Sequence, residues 1–344
     1  MTILYVGPFF LGSTVQHRVN GLRQLGLDVY NFNTDPYFPT QRRGIHNLWR
    51  RLCWGPPVWR LNTDLLREAE WVRPDNIMID KGLMVCPDTL RKLKSLNTFL
   101  IHYSHDDQKN PVNQSRHYLA GIPLYDLHIT TKSYNVEELR QAGATEVVFQ
   151  DNGFDPSTFS PQEVSPIDRQ RLGAEVGFIG EWEKERAESI LFLARHGVSV
   201  RVWGPGWNGH RELNHQNLKI EGKGLWGKDY PLAICATDIN LCFLRKINRD
   251  LQTTRSIEIP ACGAFMLAER TDEHLRLFEE DEEAVFISSD DELLEKILYY
   301  TNHADERRKI ARAGLSRCHS GGYSFKERFR WMTQRTNTPS YLDK

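Results

Sequence analysis

No stretch of the 344-residue sequence is apolar for long enough to span a bilayer as a helix. Charge of one sign is also missing: 44 Lys and Arg stand against 45 Asp and Glu, so composition carries no global signature of a nucleic-acid binder. The six cysteines (Cys53, Cys86, Cys235, Cys242, Cys262 and Cys318) include no pair separated by two residues. That spacing argues against a zinc site, and a chain of this length does not need a disulfide framework. Cys242 and Cys262 sit in apolar contexts and read as buried thiols, which suits a reducing cytoplasm. The opening Met1-Thr2-Ile3-Leu4-Tyr5-Val6-Gly7 lacks the basic region and long apolar core of a signal peptide, so it reads as a first strand. Glycine spacing after that strand does not make a dinucleotide-binding fingerprint. Internal repeats and low-complexity tracts are absent.

What is present is an ordinary globular composition, 40% hydrophobic and 26% charged, with length enough for two domains. Strand-like and helix-like segments alternate. Strands are expected at 3–6, 27–32, 76–79, 98–103, 127–130 and 146–149. Helical spacing falls at 65–72, 90–96 and 134–141. Between Gln150 and Leu172 the pattern lapses into turn-rich sequence and reads as a linker. Alternation restarts with strands at 175–179, 199–203, 238–243, 264–268 and 284–287. Helices are expected at 186–195, 228–236, 290–301 and 305–317. Such alternation predicts α/β structure with parallel sheets covered on both faces. The expected domains are 1–152 and 153–321, with 322–344, including a helix near Phe325–Met332, packing back on the first.

The segment Thr253-Thr254-Arg255-Ser256-Ile257-Glu258-Ile259-Pro260-Ala261-Cys262-Gly263 is the most informative. A cation-bearing polar loop opens a short helix that holds one carboxylate and feeds a buried strand. Helix N–H groups and cations suit phosphate, and a carboxylate suits ribose hydroxyls, so the unit points to a nucleotide diphosphate. It resembles the donor-binding signature of the GT-B glycosyltransferases, and within them the CgeB-like, spore-maturation group. Gly177-Phe178-Ile179-Gly180, Trp203-Gly204-Pro205-Gly206-Trp207, Ile79-Asp80-Lys81-Gly82 and Leu277-Phe278 continue the resemblance along most of the chain. It implies a GT-B fold: two Rossmann-like doubly wound domains facing a central cleft. In retaining members two acidic residues flank seven others. Asp250 stands at the first position and Glu258 at the second.

Further residues carry chemistry under that resemblance. Glu258 is expected on ribose, with Arg255, Thr253 and Thr254 near phosphate; the bland alternative is a capped helix with Glu258 in solvent. Lys184 or Arg186, beyond the Gly180 turn, is expected to reach the pyrophosphate, or else to pair with Glu181 or Glu188. Gly204 either lets the backbone approach the base or makes a tight turn with Trp207 beneath it. In the first domain Gly12, Ser13 and Arg18 are expected at the acceptor, with His17 as a base. Asp106 is a second catalytic candidate and Asp107 an acceptor contact. A metal on His102, His105 and Asp106 ranks last, and no metal or other cofactor is expected.

The oddest composition runs from Tyr37 to Arg60. Arg42, Arg43, Arg50, Arg51 and Arg60 are interleaved with Trp49, Trp54 and Trp59, without an acidic residue between Asp35 and Asp64. Arg50 and Arg51 are placed on an anionic acceptor: a glycan, a lipid-linked acceptor or a nucleic acid. A membrane surface fits the segment as well, and so does a packed helix with snorkelling arginines. The function expected is metal-independent sugar transfer from a nucleotide-diphosphate donor, UDP-linked by preference, to a hydroxyl. A GT-B epimerase and a non-catalytic nucleotide-sugar or glycan binder are the alternatives.

Overall fold

The computed structural model describes residues 1–38 and 45–333, so Arg42 and Arg43 of the basic segment lie outside the described residues. The chain forms two compact units: Met1–Asp151 with the returning segment that begins at Phe325, and Asn152–Ser324.

The first unit holds strands β1 (Thr2–Gly7), β2 (Asp28–Asn33), β3 (Asn76–Asp80), β4 (Phe99–Ser104), β5 (Leu127–Thr130) and β6 (Val147–Phe149). All pair in parallel, in the order β2-β1-β3-β4-β5-β6. Side chains alternate across the sheet because the strand period is two. Ile3 and Tyr5 therefore pack with Val15, Val19 and Leu22, while Leu4 and Val6 pack with Leu61, Leu65 and Ala69 on the opposite face.

The second unit repeats the plan with β7 (Ala174–Ile179), β8 (Val200–Trp203), β9 (Leu218–Ile220), β10 (Thr237–Cys242), β11 (Met266–Glu269) and β12 (Val285–Ile287). Its order is β12-β11-β10-β7-β8-β9, again all parallel. Both sheets reverse direction at a single point, between β1 and β3 and between β7 and β10. Open parallel sheets bind ligands outside the carboxyl ends of the strands at such a point.

Several elements differ from the sequence expectation for local reasons. Helix Pro166–Leu172 lies inside the stretch read as linker, because the Ser165 hydroxyl accepts from Asp168 N at 3.1 Å and caps it. Phe154 and Phe159 of that stretch are core residues of the second unit. Strand β9, only three residues long, gave no pattern to read. Helices Ile45–Leu52 and Pro56–Val72 occupy the tryptophan-rich segment. The helix expected over 325–332 is a single turn, Phe325–Arg328, followed by a 3₁₀ turn, Arg330–Thr333. Phe325, Phe329 and Met332 nonetheless join the β1 core. Gly21 permits the approach, since a β-carbon there would lie 2.6 Å from Phe325 Cβ.

Candidate functional site

In the second unit, the carboxyl ends of β7 and β10 are joined by two arginines. Arg186, in the first turn of helix Lys184–Arg195, is buried. Its guanidinium donates to Leu244 O (3.1 Å), Glu181 O (3.0 Å) and Phe243 O (3.3 Å). Arg255, which opens helix Arg255–Ala261, also donates to Phe243 O, at 3.1 Å. Both guanidinium carbons lie over the Phe178 ring, at 5.5 and 5.6 Å. Two cations thus share one carbonyl and one aromatic face. Burial, and then the charge of Arg255, push the Arg186 pKa down to about 10. The enclosed Arg255 Nε has no hydrogen-bond partner. An anion at this point would relieve like-charge repulsion and satisfy a stranded donor. Lys184 differs: its side chain is 75% exposed and pairs with Glu188 at 3.8 Å. Of the two cations expected beyond the Gly180 turn, the structure brings only Arg186 to Arg255.

Glu258 is buried rather than solvated, and its Oε2 accepts from Tyr230 OH at 2.7 Å. Burial and the Glu258 charge push the Tyr230 pKa well up, so the phenol stays a donor. Asp250 is buried too, accepting from Asn248 Nδ2 at 2.8 Å. Thr254 begins its helix without a side-chain cap; instead Ser256 Oγ accepts from Thr253 N at 3.0 Å. His274, which no sequence motif singles out, lies 2.7 Å from Ser256 Oγ through Nε2 and 2.6 Å from Glu269 O through Nδ1. With Nδ1–H donating to the carbonyl, Nε2 accepts the Ser256 hydroxyl, which fixes the loop carrying Thr253 and Arg255.

Gly180 and Gly204 have a packing role. A β-carbon on Gly204 (φ +155°) would lie 1.8 Å from Gly180 O, and the buried Trp207 indole donates to that same oxygen at 2.9 Å. The close backbone approach at Gly204 is to the neighbouring turn, with Trp207 packed beneath it.

In the first unit, a cavity of about 1070 Å³ opens at the β1–β3 reversal. Its lining combines the strand ends (Val6, Pro8, Asp80, Lys81) with Arg50 and Arg51 of helix Ile45–Leu52. Leu61, Ile79, Met84 and Val85 supply apolar wall. The site is therefore basic on one side and greasy on the other.

Three expectations for this unit are corrected. Arg18 is fully buried and forms an ion pair with Asp80, with its Nε donating to Tyr5 OH at 2.8 Å; it is a core strut, not an acceptor contact. Asp107 is buried and accepts from Lys109 N (2.9 Å) and Asn135 Nδ2 (3.0 Å), so it shapes its own loop. Asp106 forms an ion pair with Lys81, and although burial opposes the charge, His105 and Lys81 hold its pKa well below the usual carboxylate range. A carboxylate so stabilised is a poor proton acceptor at neutral pH.

His17 is half-buried in the first turn of helix Val15–Gln24. Gly12 is exposed, and Ser13 Oγ closes the loop after β1 by donating to Pro8 O at 2.7 Å. Both ring nitrogens of His102 are engaged within the protein, facing His128 Nδ1 (3.2 Å) and Lys81 O (3.1 Å). Among the described residues no group of three His, Cys, Asp or Glu side chains is placed to hold a metal ion. Likewise no helix among them is long and apolar enough to cross a membrane.

Residues 186–334 match a family model described as glycosyl transferase-like. No curated protein matches the chain. Among solved structures, HepE from Anabaena in complex with UDP-glucose aligns over 97% of this chain and 98% of its own, with TM-score 0.64 and 16% identity. The fold is GT-B. Sucrose-phosphate synthase from Thermosynechococcus elongatus aligns over 97% and 98%, with TM-score 0.67 and 12% identity. UDP-GlcNAc 2-epimerase from Neisseria meningitidis bound to UDP-GlcNAc aligns over 97% and 99%, with TM-score 0.57 and 10% identity. The matched segment begins at Arg186 and contains Arg255 and Glu258, so the arginine pair sits within it.

Proposed function

We propose that the protein is a glycosyltransferase that moves a sugar from a nucleotide-diphosphate donor, UDP-linked by preference, to a hydroxyl acceptor, and that it belongs to the CgeB-like group. The observation that carries this reading is the convergence of Arg186 and Arg255 on Phe243 O at the β7–β10 reversal. A departing diphosphate needs positive charge, and two preorganised guanidiniums supply it without a divalent ion. Glu258, held by Tyr230, is the ribose contact. HepE bound to UDP-glucose supports the choice of donor. Epimerase relatives share the fold, but an epimerase needs no separate acceptor, and the large basic cavity of the first unit gives an acceptor a place. Arg50 and Arg51 on its wall favour an anionic acceptor, with His17 as the base.

The test is calorimetric titration of UDP and UDP-glucose into the wild-type protein, Arg255→Met and Glu258→Ala, all in EDTA. Wild type should bind, and each variant should lose about 1–3 kcal/mol, the scale of a charged hydrogen bond. Equal affinity in a folded Arg255→Met would remove the arginine pair from the donor site. Binding that appears only when magnesium or manganese is restored would refute metal independence.

A further inference from the structure

Helix Ile45–Leu52 is amphipathic in the wrong sense for a helix of a globular core. Ile45, Leu48, Trp49 and Leu52 fall within an arc of about 100° at the helical period, with Arg50 and Arg51 outside it. A helix normally turns such a stripe inward. Here Arg50 and Arg51 border the cavity, while Ile45, Leu48 and Leu52 are 56%, 53% and 55% exposed. Trp54 and Trp59 extend the patch, both exposed, their rings edge-to-face at 5.4 Å. Only Trp49 of the stripe is partly covered, where its ring lies against Gly55. From residue 36 to 63 the chain carries five arginines and no carboxylate. Arg60 reaches the first carboxylate after that run, Asp64, at 3.4 Å.

We propose that this patch docks the protein on an anionic lipid bilayer, with Ile45, Leu48, Leu52, Trp54 and Trp59 entering the headgroup–acyl boundary. Aliphatic stripe, tryptophan pair and an excess of arginine in the sequence are the three requirements of an interfacial helix: apolar area to bury, rings that prefer the boundary, and cations for lipid phosphates. Charge selects this occupant over a second copy of the chain, since self-association would set two arginine runs against each other. The aliphatic side chains select it over a nucleic acid, whose backbone offers them nothing. The surface stands independently of the sugar-transfer reading.

Flotation of the full chain with phosphatidylcholine vesicles, with and without phosphatidylglycerol, tests the proposal. Wild type should float with the anionic vesicles, bind them at least about tenfold more tightly than neutral ones, and come off as salt is raised. Vesicles of brominated lipid should quench tryptophan emission, which requires indole rings at bromine depth. Leu48→Gln with Leu52→Gln, both exposed and so compatible with folding, should abolish flotation at an unchanged melting temperature. Three results would overturn the proposal: wild type that stays in solution or is not quenched, equal binding to neutral vesicles, and undiminished binding by the double variant. Sedimentation showing a dimer that the double variant dissolves would also overturn it, by assigning the patch to a second copy.

Discussion

At the scale of single residues, the arginine site of the second unit is organised by groups that have no sequence signature. His274 is the plainest case. It is fully buried, and burial lowers its pKa from the ordinary imidazole value. Its neutral tautomer accepts Ser256 Oγ, which in turn accepts Thr253 N. Because the folded pKa is depressed, the unfolded chain binds the proton more readily. Stability from this group is therefore full above the unfolded value, about 6.5, and is lost as pH falls from there toward the folded value. Denaturant midpoints measured across that range should decline on acidification, and His274→Asn should flatten the decline. The same variant should raise the donor Kd several-fold at neutral pH, about 1 kcal/mol, because the Thr253–Arg255 loop loses its anchor. A donor affinity untouched by His274→Asn would mean that Ser256 holds the loop alone. Sequence reading singled out Arg255, Arg186 and Glu258 because each stands in a recognisable strand–turn–helix setting. It misplaced Arg18, since nothing local announces that Asp80, sixty-two positions on, neutralises it in the core.

At the scale of elements, the two turns that end β7 and β8 behave as one piece. Gly180 N donates to Trp203 O at 2.8 Å, Trp207 Nε1 donates to Gly180 O, and Gly204 approaches that oxygen with no room for a side chain. Gly204→Ala adds a steric clash to a backbone conformation that L residues avoid, so it should cost about 2–4 kcal/mol. Chemical denaturation with an intact m-value checks it; a loss under about 1 kcal/mol would show that the turns can part freely. The elements themselves were largely legible, because strands buried on both faces read as unbroken apolar runs, as in residues 3–6 of β1, and intervening helices keep their own period. Three things were not: a three-residue strand, a helix whose capping serine lies in turn-rich sequence, and a tryptophan-rich helix pair. In the last, the sequence suited a packed helix and a basic binding surface equally, and the stripe Ile45, Leu48 and Leu52 faces solvent.

At the scale of the whole chain, each unit carries cations at the reversal of its own sheet. Arg186 and Arg255 stand at β7–β10, and Lys81, Arg50 and Arg51 at β1–β3. The two sets differ in setting, and that difference is testable. The second-unit pair is pinned by carbonyl acceptors, with Arg186 buried and Arg255 half-buried, so its field on a ligand is screened less by salt. Arg50 and Arg51 are exposed, on a helix whose polar side borders a roomy cavity, and their attraction for an anion is screened strongly. Replacing both with glutamine should leave the UDP Kd within about twofold, since the donor is assigned to the second-unit arginines and sites with no shared partner act additively. In the absence of lipid, the same double variant should raise the acceptor KM and flatten its rise with salt. The measurement is a paired titration of donor and acceptor at low and moderate ionic strength, with melting temperatures recorded for both proteins. A variant whose acceptor KM keeps the wild-type salt dependence would take Arg50 and Arg51 out of acceptor recognition. One whose UDP affinity falls alongside would show that the cations of the first unit also act on the donor.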